Sequence, residues 1–199
     1  MKKLAKTEVQ IAPLIAERWS PRVFDPEFIM DEISVKSILE AARWAPSCFG
    51  DQPWKFVIFH KKDALQWIKA LNCLSVGNQN WAMDTSLLIA VCANKNFKHN
   101  NNENKWSHYD TGAASENICL QSTYLGLAAH QMGGFDSDKI RNLANIPVEF
   151  DVMSFIAIGK PLAKNLMTNE QVEAEGTARK RLKLNEIYFE NKWDNLKES

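Results

Sequence analysis

The chain has 199 residues, 45% of them hydrophobic, with 24 lysines and arginines against 24 aspartates and glutamates. That length suits one globular domain with a full core, and the balanced charge gives no general attraction to nucleic acid, an anionic membrane or a charged polymer. The longest mid-chain apolar run, from Ser86 to Ala93, is too short to cross a bilayer, and Glu8 and Gln10 interrupt the apolar run a secretory signal would need, so a cytoplasmic protein is expected.

In chain order, Pro13 suits the first turn of a helix in which Ile11, Leu14 and Ile15 share a face, ending near Arg18. Ser34 is placed to cap a second helix with Val35, Ile38, Leu39 and Ala42 as its buried stripe, closed before Pro46. A strand is expected from Lys55 to His60, then a short helix from Asp63, a polar link around Ser75 to Asn80, and a buried strand from Ser86 to Ala93. The stretch from Asn94 to Lys105 has no apolar period and reads as an exposed loop. Small and large apolar residues then alternate from His108 to Leu125, the pattern of a long central helix, which Gly126 ends. A strand near Ala128 to Met132, a Gly133-Gly134 turn, a helix from Ser137 to Asn145 and a strand from Met153 to Ile158 complete the core. Together these elements predict an α/β layered fold, a sheet covered by helices. The tail from Leu184 to Trp193 carries apolar residues beyond the last strand and is expected to pack on something, a second subunit included.

Four cysteines (48, 73, 92 and 119) form no C-x-x-C pair, and the four histidines show no ligand spacing, so no metal site is expected. Neither G-x-G-x-x-G nor G-x-x-x-x-G-K-[ST] occurs, which excludes the two common nucleotide-binding loops. Phosphate can instead be held by arginines and hydroxyls converging from distant segments, because a guanidinium matches phosphate oxygens two at a time. Two segments qualify: Arg18, Ser20 and Arg22, which share a side if that stretch is extended, and Arg179-Lys-Arg181. Taken singly, each reads first as an ordinary solvated surface cluster.

A third segment, Ala45-Pro-Ser-Cys-Phe-Gly-Asp-Gln-Pro-Trp54, preceded by Glu40-Ala-Ala42, resembles the nitroreductase family. Tyr109-Asp-Thr-Gly-Ala113, Asn117, Leu125-Gly-Leu127, Gly133-Gly-Phe-Asp136 and Ala157-Ile-Gly-Lys-Pro161 extend the likeness in register from Arg18 to Trp193. The resemblance implies a nitroreductase-like α+β fold, with a mixed, mostly antiparallel sheet, a single domain over 1–199, a core of about 11–162, and a C-terminal arm of about 177–195 on the partner subunit.

It also implies a homodimer with FMN at the interface and NAD(P)H as co-substrate. In a ping-pong cycle, hydride passes through flavin N5 to a small acceptor such as a nitroaromatic or quinone. By position, Arg18, Ser20, Arg179 and Arg181 would hold the phosphate, with Arg22 and Asn78 toward the flavin's pyrimidine edge. Pro46, Ser47, Cys48 and Gln52 would reach the flavin from the loop, the first three from the partner. Gly133 and Gly134 would approach N5. Cys48 and Gly50 stand where relatives often have Ser and Asn, which removes two potential hydrogen bonds. Trp106 is a candidate for contacting substrate. The alternative is a flavin-binding relative that does not oxidise NAD(P)H: a carrier, a sensor or a ring-fragmenting protein.

Overall fold

The structure, a computed structural model, describes residues 3–193. Its helices and strands are α1 (Pro13–Glu17), α2 (Glu32–Arg43), β1 (Trp54–His60), α3 (Ala64–Leu71), α4 (Val76–Ala82) and β2 (Leu87–Asn94), followed by α5 (Ser107–Tyr124), β3 (Ala128–Met132), α6 (Ser137–Ala144), β4 (Phe150–Gly159) and α7 (Asn169–Gly176).

β2 explains the layering. Its residues Leu87 to Ala93 are all buried, and a strand buried on both faces must have helices above and below. Side chains alternate across a strand. Leu88, Ala90 and Cys92 therefore join Phe155, Ala157, Trp67 and Ile140 on one face, against α3 and α6. Leu87, Ile89 and Val91 join Ile156, Ile158, Ile38 and Ile118 on the other, against α2 and α5. The four strands lie in the order β1-β2-β4-β3, and every pairing among the described residues is antiparallel. The layered α+β architecture is the expected one. β2 and β4 are central, and the register shifts between Val91 and Cys92, where Met153 of β4 has no partner. β3 is an edge strand, so its outer side is open to other parts of the chain.

Several boundaries differ from the sequence reading. α2 begins at Glu32, and its cap is Asp31, whose carboxylate accepts the Ser34 N–H at 2.8 Å. Ser34 sits inside the first turn because the aspartate reaches the free N–H groups better than a hydroxyl one turn later. The stretch expected to be a polar link is α4, which fully buries only Trp81 and Ala82, while Asn78 and Gln79 are half-buried on the carbonyls of Gly134 and Leu74. β4 starts at Phe150, three residues early. α7 was not foreseen, since its one buried residue is Glu175.

After α7 the chain has no further α-helix or strand among the described residues. Residues 194 and 195 of the expected arm lie outside them. What is visible of that tail folds back on the first residues. Arg179 donates to the carbonyls of Lys3 and Ala16 at 2.9 and 3.0 Å, and Leu184 N–H donates to Glu8 at 3.2 Å.

Candidate functional site

α1 stops at Glu17, and Arg18 adopts an extended backbone (φ −61°, ψ 126°). The following stretch runs to the end of β4, where Phe24 bridges Pro161 and the Val23 carbonyl accepts the Leu162 N–H. The tail brings Arg179 and Arg181 to the same place. Arg18, Ser20, Arg22, Arg179 and Arg181 thereby line one cavity of about 480 Å³, closed by His130 of β3 and by Glu170, Gln171 and Glu175 of α7. With Lys3, five basic side chains face two glutamates there, a strongly cationic wall on a chain of zero net charge.

The four arginines are held in different ways. Arg18 pairs with Glu116 of α5 at 3.2 Å and reaches Ser20 Oγ at 3.4 Å. Burial raises the Glu116 carboxyl above its usual range, and Arg18 pulls it back. Arg179 is fixed on its two backbone carbonyls, and burial, then Arg18 and Arg181, lower its pKa. Among the described residues Arg181 donates only to the carbonyl of Lys180, at 2.7 Å. Among the described residues the Arg22 side chain has no hydrogen bond or ion pair, although its backbone N–H donates to Glu175 Oε1 at 2.9 Å.

Several cavity residues escaped the sequence reading, among them His130 and Glu175. His130 lies on the same face of β3 as Ala128 and Met132, and its Nδ1 is 2.8 Å from the Pro21 carbonyl. Burial lowers its pKa first of all, the Pro21 contact raises it, and Arg22 and Arg18 lower it further. The signal was there: a lone polar residue on the inward alternation of a strand. Glu175 is only 6% exposed, and its Oε2 is buried without a partner. No sequence pattern marked it.

Other expected site residues lie elsewhere in the protomer. Asn78 donates to the Gly134 carbonyl at 3.0 Å, and a Cβ on Gly134 would meet the side-chain ends Ser75 Oγ at 2.8 Å and Asn78 Nδ2 at 2.9 Å, so a larger residue there would displace them. Gly133 is open. These three adjoin the end of β3 beyond His130 without lining the cavity. Pro46, Ser47, Cys48 and Gln52 form a separate tight loop. Cys48 N–H donates to the buried Asp110 at 2.9 Å, and Ser47 Oγ accepts from Gln52 N–H at 3.0 Å. Phe49 and Gln52 take left-handed backbone conformations (φ 55° and 50°), uncommon for residues with a Cβ, and Lys98 holds the Gln52 carbonyl at 3.0 Å. Gln52 lines a different hollow, with Arg43 and Lys98. Trp106, 55% exposed, precedes α5 away from the arginines. Burial pushes Cys92 up to about 11 and Cys119 to about 12, so both stay protonated thiols. Among the described residues no cluster of His, Cys, Asp and Glu could hold a metal ion, and no helix is long and apolar enough to cross a membrane.

The fold and the arginine cavity together define a helix-covered antiparallel sheet with a cationic wall at one end. The family model for the nitroreductase family matches residues 15–73 and 73–160. The chain belongs to that family. A solved structure described as an oxidoreductase containing FMN is 34% identical, with a TM-score of 0.86, covering 94% of this chain and 95% of that one. An oxygen-insensitive NADPH nitroreductase from Helicobacter acinonychis (strain Sheeba) is 25% identical over 182 residues, 74% of this chain and 85% of that protein. A nitroreductase family protein from Clostridium difficile 630 shares the fold, with a TM-score of 0.69 and 22% identity over 92% of this chain and 99% of that one.

Proposed function

We propose that the protein is an FMN-dependent oxidoreductase that takes hydride from NADH or NADPH and passes it to a small electron-poor acceptor, a nitroaromatic or quinone. The reading places it in the cytoplasm as a homodimer. The observation that carries it is the convergence of Arg18, Ser20 and Arg22 with Arg179 and Arg181 on one cavity, from opposite ends of the chain. A phosphate monoester fits such a wall, because guanidinium groups neutralise it while the Ser20 hydroxyl completes its hydrogen bonds. The cavity volume, about 480 Å³, falls in the usual range for small-ligand sites.

Bound FMN would supply the hydride chemistry, accepting from one substrate and donating to the next. The protein's own work is then binding and orientation. Arg18, Ser20, Arg179 and Arg181 anchor the phosphate. Arg22, whose side chain has no hydrogen bond or ion pair among the described residues, sets positive charge beside a ring that gains negative charge on reduction. Asn78 and the Gly133-Gly134 backbone form the wall at the end of β3, where the missing Cβ lets main chain approach a flat ligand. Pro46, Ser47 and Cys48, away from the cavity within one protomer, complete the site of the partner, and Gln52 continues that loop. Trp106 covers the acceptor.

One preparation tests this reading. Purified protein should be yellow, release a ligand with the mass of FMN, and oxidise NADH or NADPH when a quinone is present. Release of FAD, or failure to take up FMN on reconstitution, would overturn it. FMN without pyridine-nucleotide oxidation would make the protein a flavin carrier or sensor.

A further inference from the structure

Arg22 combines two features that rarely go together. Its guanidinium has no partner among the described residues, while the peptide unit that carries it is gripped from both sides. The Pro21 carbonyl and the Arg22 N–H belong to one trans peptide and point in opposite directions. His130 Nδ1 lies 2.8 Å from that carbonyl, and Glu175 Oε1 lies 2.9 Å from that N–H. We propose that His130 and Glu175 are positioning residues for Arg22, a two-sided clamp that aims its side chain at the ligand in the cavity.

The hydrogen-bond chemistry fixes each jaw's role. A carbonyl only accepts, so His130 Nδ1 carries a proton and donates. A carboxylate only accepts, so Glu175 takes the amide proton in a charge-assisted bond, the stronger kind. His130 is seated firmly. Its ring lies 4.5 Å from that of Trp81, which stacks at 6.1 Å on the buried Phe24, and a Cβ on Gly159 would come within 2.9 Å of Phe24. Glu175 is seated as well, as the buried residue of α7, with its own carbonyl accepting from Lys3 at 2.7 Å. Burying a carboxylate is costly unless it is hydrogen-bonded, and among the described residues the Arg22 N–H serves Oε1 while Oε2 is buried without a partner. Arg18 and Arg179 are each aimed by contacts to their guanidinium groups, whereas Arg22 depends on its backbone alone.

This inference rests on the proposed role of Arg22, and the experiment separates the two. Four variants test the clamp. His130→Phe keeps a ring against Trp81 without a donor, and His130→Asn keeps a donor. Glu175→Ala removes the acceptor, and Glu175→Gln keeps it without charge. Two quantities are read, amide exchange of residues 19–24 by mass spectrometry without ligand, and the midpoint potential of FMN at saturation. His130→Phe and Glu175→Ala should speed exchange of that segment about tenfold or more and lower the potential in the direction of Arg22→Ala. His130→Asn and Glu175→Gln should restore slow exchange and should not lower the potential.

Unchanged exchange in both His130→Phe and Glu175→Ala would overturn the clamp. So would an unmoved potential in those variants while Arg22→Ala lowers it. Loss of a negative charge alone would raise the potential equally in Glu175→Ala and Glu175→Gln, which would also overturn it. If Arg22→Ala itself leaves the potential unmoved, the assignment of Arg22 to the flavin fails, and exchange alone then decides whether the grip exists.

Discussion

Arg181 and Arg22 face the same cavity under different restraint, and their replacement should be felt in different quantities. Arg181→Ala should weaken FMN binding by about 1.5–3 kcal/mol, the usual worth of a hydrogen bond to a charged group, while enzyme saturated with FMN keeps most of its rate. Arg22→Ala should slow reduction by NAD(P)H even at full occupancy, because the charge lost is the one proposed to lie beside the ring. FMN titration followed by anaerobic single-turnover kinetics distinguishes them, and an Arg181 variant with unaltered affinity would remove that residue from the phosphate site. His130 gives a third residue-scale expectation. Burial, with Arg22 and Arg18, holds its folded pKa below the ordinary 6.5. Between those two values the unfolded chain binds more protons than the folded one, so stability rises with pH there and is lost as pH falls from about 6.5 toward the folded value. Urea midpoints measured across that window should slope upward for the native chain and lose that part of the slope in His130→Phe. The meeting of Arg18, Ser20 and Arg22 on one cavity wall was legible in the sequence because arginine and serine at alternate positions are a visible pattern. Glu175 was not, because an acid inside a polar helix looks like every other acid until the fold shows what covers it.

At the scale of elements, legibility followed how much apolar pattern each segment carries. β2 could be read directly, since all of Leu87 to Ala93 is buried and the sequence is an unbroken apolar run. α5 was also clear, although it is amphipathic in an unusual way, burying Ser107, Thr111, Ser115 and Ser122 alongside Ile118. The hydroxyls of Ser115 and Ser122 bond back to carbonyls four residues earlier, which lets small polar residues sit in a core. α4 and α7 were missed for the opposite reason. Each has few buried residues, so tertiary contacts at Trp81 and Glu175, and the Thr168 capping box, decide that they are helical. The central strands carry the stability. Ile156 of β4 is fully buried between α2, α5 and the sheet, and Ile156→Ala should cost about 2–5 kcal/mol by removing apolar contact and leaving a cavity. Urea unfolding should show a lower midpoint at unchanged slope. A loss under about 0.5 kcal/mol would mean that this layer is not closed as described.

For the whole molecule, large apolar side chains remain uncovered in one protomer. Phe49 is 83% exposed on a left-handed turn, Ile33 and Trp44 stand out from α2, and Tyr109 and Tyr124 from the two ends of α5. Such a set on one chain is usual for a surface that meets another copy. Sedimentation equilibrium should give twice the chain mass, and dilution below the dimer constant should release FMN in step with dissociation, because the loop at residues 46–52 would then be missing from each site. A monomer that keeps tight FMN binding would contradict a shared site. The closing of the cavity by segments far apart in the chain also sets an order of events during synthesis. A growing chain acquires Arg18, Ser20 and Arg22 before any strand exists, but Arg179 and Arg181 only after the entire sheet has been made. Until then the wall has three of its five cations, and the Lys3 and Ala16 carbonyls lack the guanidinium that holds them. On the proposed reading of this cavity, cofactor capture is therefore a late step, complete only once Arg179 and Arg181 have been made.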